Sequence, residues 1–251
     1  MRQTKIIASS NQKGGQGKSS TCVSVGCILA SKGFKVLLVD LDAQASLTNT
    51  LLSGEFEENI YTAFVGKSEL PEVQVSENLY VVPSTVLLNR VERELANEMA
   101  REYFLSDLLK PIQEKYDFIF LDCPPSLGFC TLNAFTAATH VIIPLIPEVL
   151  PLQGLKKICD FYAQVTKRLN PNLELTGILI NRWENVNLYK EMEATLRERY
   201  ADKVFKTKIR KNVSIAESPL GKKDITAYNP KSNGARDFVA FTEELLSHFN
   251  M

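Results

Sequence analysis

The run Lys13-Gly-Gly-Gln-Gly-Lys-Ser-Ser20 constrains this chain more than any other stretch. It follows a short apolar strand, Lys5-Ile-Ile-Ala-Ser9, and opens a helical stretch predicted from Lys18 to about Ser31. Strand, glycine-rich turn and helix in that order gather backbone N–H groups at a helix N-terminus, where they cradle phosphates. The common phosphate-loop spacing wants a glycine where this chain has Gln12. The run fits a deviant form instead, K-G-G-x-G-K-[ST], with an added lysine at position 13. Gly14, Gly15, Gln16, Gly17, Lys18, Ser19 and Ser20 are therefore the candidate nucleotide ligands. Lys18 is placed to reach the β- and γ-phosphates, and the Ser19 hydroxyl to ligate Mg²⁺. Lys13, on the other side of the loop, has no evident task in its own chain. A cation there is useful if it reaches a nucleotide held by a second subunit, as an arginine finger supplied in trans does. The motif thus predicts a nucleotide site and a nucleotide-dependent homodimer.

The bulk numbers narrow the class. At 251 residues, 45% apolar and 23% charged, the chain is sized for one α/β unit with a large core. No apolar run approaches the roughly 20 residues of a membrane span, and Met-Arg-Gln-Thr-Lys leads into the first strand without signal-peptide character. Five cysteines, none in a C-x-x-C pair, read as reduced cytosolic thiols, mostly packed as small core residues. His140 and His248, the two histidines and far apart in sequence, argue against a histidine-based zinc site.

Strands are predicted at 4–9, 35–39, 79–82, 117–121, 140–145, 174–180 and 203–207. Helical patterns fall near 18–31, 88–114, 128–138, 151–169, 187–200 and 233–249. Runs such as Val36-Leu-Leu-Val39 and Phe118-Ile-Phe-Leu121 are apolar throughout, as expected when both faces are covered. Repeated βα units of this kind give a single α/β domain over 1–251, a doubly wound and mostly parallel sheet with helices on both faces. Its ligands belong at the carboxyl ends of the strands. Residues 54–78 carry no chemical signal.

Three acids stand at such ends. Asp40 and Asp42 close the second strand, and Asp122 closes the strand near 117. Asp122 is placed to hold Mg²⁺, most often through water. Asp42 reaches further into the crevice and is the candidate to orient an attacking water, with Asp40 bracing the metal shell. Each acid taken singly could instead cap the segment that follows it. Trp183 is expected to cover the sheet edge rather than line the base. Cys123 is expected to be a packed residue, and Pro144 and Pro147 to end the strand at 140–145 and shape the loop near the nucleotide.

Nearly end to end the chain resembles the ParA family of deviant Walker ATPases, of the short chromosome or plasmid partition type. The likeness rests on 12–19, Val39-Asp-Leu-Asp-Ala-Gln44, Leu121-Asp-Cys-Pro-Pro-Ser126, Gly177-Ile-Leu-Ile-Asn181, Asp202-Lys-Val-Phe-Lys-Thr207 and Tyr228-Asn-Pro-Lys-Ser-Asn-Gly-Ala235. The resemblance implies ATP with Mg²⁺ as cofactors and an ATP-bound sandwich dimer in which Lys13 contacts the partner's nucleotide. It also implies Asp42 as the water-orienting acid and Asn181 at the adenine edge. Non-specific DNA and a ParB-like centromere-binding protein that stimulates hydrolysis are the implied partners, in a cytoplasmic, nucleoid-associated setting. Three departures stand out. Gln16 replaces a usual valine at a position expected to contribute mainly backbone. The family's D-x-D-P-Q-G-N becomes Asp40-Leu-Asp-Ala-Gln-Ala-Ser46, losing a proline and a glycine from the switch loop. The family's I-P-R-N becomes Ile209-Arg-Lys-Asn212, with Ser214 where an arginine is expected.

Net charge is zero, yet from Lys203 to Arg236 nine cations face two acids, a net of +7. Cations that neutralise phosphates release counterions, giving sequence-blind and salt-sensitive affinity. Lys206, Lys208, Arg210, Lys222 and Lys223 are the candidate DNA contacts, against the plainer reading of a solvated basic face. Relatives on the same scaffold are weighed by single features. Membrane-cycling relatives end in a basic amphipathic helix, whereas the tail here, 241–251, is acidic and expected to dock on the core. Iron–sulfur relatives need a cysteine pair that this chain lacks. Small-molecule ligases do not usually carry a lysine at the place of Lys13.

Overall fold

A strand such as Phe118–Asp122, FIFLD, has no polar face to offer water, so it is stable only with both faces covered. The computed structural model, which describes residues 3–66, 69–147 and 151–251, meets that requirement with one eight-stranded sheet. Met1 and Arg2 lie outside the described residues. The strands are β1 (Lys5–Ser9), β2 (Val36–Asp40), β3 (Val73–Ser76), β4 (Leu79–Val82), β5 (Phe118–Asp122), β6 (His140–Leu145), β7 (Glu174–Trp183) and β8 (Val204–Arg210). The helices are α1 (Lys18–Ser31), α2 (Ser46–Leu51), α3 (Ile60–Phe64), α4 (Val91–Glu94), α5 (Phe104–Leu109) and α6 (Phe129–Ala137). They continue as α7 (Pro151–Arg168), α8 (Asn187–Tyr200), α9 (Val213–Glu217), α10 (Ile225–Tyr228) and α11 (Asn233–His248).

The spatial order is β3-β4-β2-β5-β1-β6-β7-β8. Every neighbouring pair is parallel except β3 with β4. Side chains alternate between two cores. Ile6, Ala8, Leu37, Val39, Ile119 and Leu121 join one, with Leu105, Phe129 and Leu155 from α5, α6 and α7. Ile7, Val36, Leu38, Phe118 and Phe120 join the other, with Val25 and Leu29 of α1 and Phe238 and Phe241 of α11. The two-residue period of a strand thus explains why the apolar runs are unbroken. β1 lies between β5 and β6, so α1 leads one way to β2 and α6 leads the other way to β6. Such a switch point opens a crevice at the strands' carboxyl ends, where the glycine loop and all three acids fall.

The expected helix over 88–114 is corrected. Only α4 and α5 form there, separated by Ala100 in a left-handed conformation, φ 53°, with short 3₁₀ turns around them. Asn133, buried in α6, receives the Leu105 N–H and donates to the Arg101 carbonyl, satisfying the broken backbone from outside. β3, unread in the sequence, pairs antiparallel on the sheet edge. Pro144 does not end β6 but lies inside it, in register with Leu179. β1 pairs with β6 only as far as Ile142, so the missing proline N–H is not needed by that neighbour.

The other edge, β8, is blunted by side chains. The Glu244 carboxylate accepts the Lys206 and Thr207 N–H groups, and Arg197 donates to the Val204 and Phe205 carbonyls. These contacts occupy backbone groups that an exposed edge would offer to another chain. The tail docks as expected. Leu245 and Leu246 are buried, and Phe249 meets Phe118 and His140 with ring centroids 6.2 and 4.7 Å apart. Trp183 covers the edge, with the Lys208 ammonium 4.0 Å from its ring centroid.

Candidate active site

The glycine loop, residues 13–17, joins β1 to α1. Gly15 and Gly17 hold φ of 73° and 86°, a region that suits glycine. Gly17 has a second constraint, since a Cβ there would lie 2.6 Å from Asn181 Nδ2. α1 carries no side-chain cap and no acid in its first turn, so its first N–H groups remain available to an anion. Two side chains fasten the loop to the end of β6. Asn11 donates to the Pro144 carbonyl at 2.7 Å and accepts the Lys13 N–H at 3.0 Å. Gln16 is 1% exposed, and its Oε1 accepts the Ile146 N–H at 2.8 Å. The expectation that Gln16 contributes mainly backbone is therefore corrected. Its amide reaches into the protein and anchors the loop, and only its carbonyl serves the neighbouring Asn181, whose Nδ2 donates to it at 2.9 Å.

Lys18 is buried at the head of α1, while Lys13 is exposed on the outer side of the loop. Asp40 and Asp122 are in register on adjacent strands and both are fully buried. Burial, with a smaller push from the Asp42 charge, holds the Asp40 carboxyl up at about 6, despite hydrogen bonds from Thr48 and the Asp42 N–H that pull it down. Burial likewise pushes Asp122 well above the usual carboxylate range, and the neighbouring Asp40 adds to it. Ser19 and Lys18 act in the opposite direction.

The two acids differ in what satisfies them. Asp40 Oδ1 accepts the Asp42 N–H, and Oδ2 accepts both the N–H and hydroxyl of Thr48 at 2.9 and 2.7 Å. Asp40 thus caps α2 and fixes the switch loop, which fits a bracing role. Neither Asp122 oxygen makes a hydrogen bond of full geometry among the described residues, although the Ser19 hydroxyl is close enough to draw its carboxyl down. An orphaned, buried carboxylate beside a second acid is costly unless a cation meets it. The donor set of Asp122 and the Ser19 hydroxyl fits Mg²⁺, which takes few protein ligands and completes its shell with phosphate and water. Among the described residues no group of three His, Cys, Asp or Glu could form an all-protein metal cage.

Asp42 is partly exposed. Its Oδ1 accepts the Gln44 N–H at 3.0 Å, and it lines a cavity of about 300 Å³ with Gln44, Pro124 and Ser126. Thr48 and Ser84 are the residues that sequence reasoning missed. Ser84 at the end of β4 donates to the Asp42 carbonyl at 2.8 Å, and its N–H donates to the Thr48 hydroxyl. Together they tie both acids of β2 to the next strand. No local pattern flags either residue, because the contacts come from the sheet order. Burial pushes the Cys123 thiol far up, as suits a packed residue rather than a nucleophile.

A second cavity, of about 380 Å³, runs from Gly15 and Gly17 past Asn181 to Asn212 and Val213. Asn181 is buried, and its Oδ1 has no hydrogen-bond partner among the described residues, which leaves an unused acceptor in the wall of that cavity.

Several cations of the basic stretch hold internal partners. Lys208 pairs with Glu193 of α8 at 2.8 Å, and Lys211 with Glu184 at 3.1 Å. Arg210 makes a two-pronged pair with Asp237 of α11, with distances down to 2.6 Å. Lys222 donates to the carbonyls of Asn49 and Leu52, closing the C-terminal end of α2. Lys206 and Lys223 are exposed. Three of the five candidate DNA contacts are thus engaged within the chain by groups from distant segments.

An AAA domain family model matches residues 4–175, a span holding the glycine loop and the three acids. The chain is 37% identical over 250 residues to the sporulation initiation inhibitor protein Soj of Bacillus subtilis, covering 97% of this chain and 99% of that protein. It is 37% identical over 251 residues to the chromosome partitioning protein ParA of Myxococcus xanthus, covering 96% of this chain and 88% of that protein. Among solved structures, cobyrinic acid a,c-diamide synthase from Mycobacterium smegmatis with bound ATP analogue and magnesium superposes with a TM-score of 0.87. The identity there is 30%, over 98% of this chain and 96% of that one.

Proposed function

We propose, from the premise that this chain belongs to the ParA family of Walker-type ATPases, that it is a Mg²⁺-dependent ATP hydrolase whose ATP-bound form is a sandwich dimer. In this reading residues 1–251 work as one partitioning ATPase domain. The loop N–H groups of 14–20 hold the phosphates, Lys18 neutralises them, and Asn181 accepts a hydrogen bond from the adenine edge. Ser19 and Asp122 hold Mg²⁺, which supplies charge neutralisation at the phosphates when bound, and Asp40 keeps the switch loop in place beside it. Asp42 orients the attacking water, and Lys13 crosses to the partner's nucleotide. Hydrolysis is slow in the isolated protein, because the trans lysine and the switch loop come together only on assembly.

The observation that carries this reading is Asp122: fully buried, with no full hydrogen bond on either oxygen, in the same crevice as Lys18 and Ser19. A site built with uncompensated negative charge next to an anion cradle is suited to a cation bound together with a phosphate chain. No helix among the described residues is long and apolar enough to cross a membrane.

The finer role is plasmid or chromosome partitioning. The ATP dimer binds DNA without sequence preference, in the cytoplasm on the nucleoid, and a ParB-like protein stimulates hydrolysis and release. Lys206 and Lys223 can meet phosphates without breaking an internal pair. Lys208, Arg210 and Lys222 contribute only by exchanging the partners they hold. The test is binding to random-sequence duplex DNA with ATP, ADP or no nucleotide, at two salt concentrations. Binding that requires ATP and weakens steeply with salt is expected. An ATP-dependent dimer that ignores DNA would overturn the DNA-based role while leaving the ATPase intact.

A further inference from the structure

β7 breaks its own alternation at the mouth of the base cavity. Ile178 and Ile180 face the core containing α7, and Leu179 faces the core containing α1 and α11. Regular alternation would send Arg182 to the first side with Ile180, and Trp183 to the second with Leu179. Trp183 packs instead against the first core. The register explains the reversal. From Ile180 to Trp183 β7 advances three residues while β8, from Lys208 to Arg210, advances two. One extra residue in one strand is a β-bulge, a device that re-aims a side chain beside a functional site. Within it Arg182 holds φ 50°, a left-handed conformation that costs a side-chain-bearing residue strain.

Arg182 lies next to the buried Asn181, is exposed, and lines the 380 Å³ cavity shared with Gly17, Asn212 and Val213. Nearby cations are occupied: Lys208 by Glu193, Arg210 by Asp237 and Lys211 by Glu184. No described residue forms a hydrogen bond or ion pair with the Arg182 guanidinium. The bulge therefore delivers a planar cation, with no partner among the described residues, to a cavity that Asn181 and Ser20 also line.

We propose that Arg182 is the base-stacking residue of this site, its guanidinium lying on the purine face while Asn181 holds the edge. Arginine suits this role because its planar, weakly hydrated cation stacks on π-faces, whereas a lysine ammonium acts as a point charge. The assignment rests on reading the site as an ATP site, and it adds the group that holds the base. Its strained backbone is then retained for binding rather than for folding.

The test is calorimetric titration of the full chain with Mg-ATP and, separately, with Mg-tripolyphosphate, which has no base. Arg182→Gly removes the side chain and suits the left-handed backbone, so its fold is not at risk. Arg182→Lys keeps the charge without the plane. Both variants are expected to bind Mg-ATP on the order of tenfold more weakly, the strength of a partly desolvated cation–π contact, with tripolyphosphate affinity unchanged. Unchanged ATP affinity in Arg182→Gly would overturn the assignment. Equal losses for ATP and tripolyphosphate would also overturn it, placing Arg182 on the phosphates. If the unsubstituted protein binds tripolyphosphate but gains nothing from the base, stacking fails while the phosphate site stands. If it binds neither, the ATP-site reading itself fails.

Discussion

Replacing Gln16 by leucine removes one acceptor from the base of the phosphate loop and changes little else in volume. Gln16 and Ile146 are 1% and 2% exposed, so the Ile146 N–H freed by the substitution has no water to turn to. A buried donor left without a partner costs about 1–3 kcal/mol. For a domain of this size each kcal/mol moves the melting temperature by about 2–4 °C. Gln16→Leu should therefore lower the nucleotide-free melting temperature by roughly 2–12 °C. It should also weaken Mg-ATP binding, because the loop loses its anchor to the end of β6 while every phosphate-facing N–H remains. Thermal scanning, with urea denaturation as the equilibrium check, reads the first effect, and titration calorimetry the second. A variant as stable as the parent would refute the reasoning, and would return position 16 to the mainly backbone role that the sequence suggested.

Two other perturbations test different parts of the account. Ala45, at φ 52°, stands in the switch loop where the resembled family carries glycine. Left-handed alanine costs about 1–2 kcal/mol, and glycine's extra freedom in the unfolded chain offsets about 0.4–1 of that. Ala45→Gly should then stabilise the nucleotide-free protein by roughly 0.5–1 kcal/mol in urea denaturation, and no gain would mean the loop conformation is not strained. His140 is pushed down to about 4, by burial first and then by Lys5. Its unfolded value is about 6.5, so the unfolded state takes up the proton first and stability falls as pH drops from 6.5 towards 4, by up to about 3 kcal/mol. Asp40, raised to about 6, works in the opposite sense, its contribution falling as pH rises from about 4 to 6. The His140 effect is therefore read from NMR titration of the ring, and a midpoint near 6.5 would contradict it.

What could be read from the sequence was local or periodic. The glycine loop, α1 and the acids at the ends of β2 and β5 lie in short contiguous runs, and unbroken apolar strands already require helices on both faces. What escaped depends on partners brought from far along the chain. Gln16 acquires its role from Ile146, 130 positions away. The break between α4 and α5 is sustained by Asn133 on α6. The charge of the segment from Lys203 to Arg236 was counted within the segment, whereas the acids that quench it, Glu184, Glu193 and Asp237, sit on neighbouring elements. Asp40 takes the capping role that the sequence offered as the plainer alternative, because its buried carboxylate accepts the Thr48 N–H and hydroxyl in the first turn of α2. The bulge at Arg182 left no mark in composition, since only the register of β7 against β8 reveals it.

The central claim is a nucleotide-gated dimer completed by a lysine in trans, and sedimentation velocity with Mg-ATP, Mg-ADP and no nucleotide tests it most directly. Three proteins suffice: the unsubstituted chain, Lys13→Ala and Asp42→Ala. The account predicts a dimer of the unsubstituted chain with Mg-ATP only, a persistent dimer for Asp42→Ala because the water is no longer oriented, and a monomer for Lys13→Ala that still binds ATP. A Lys13→Ala protein that dimerises normally with Mg-ATP would contradict it.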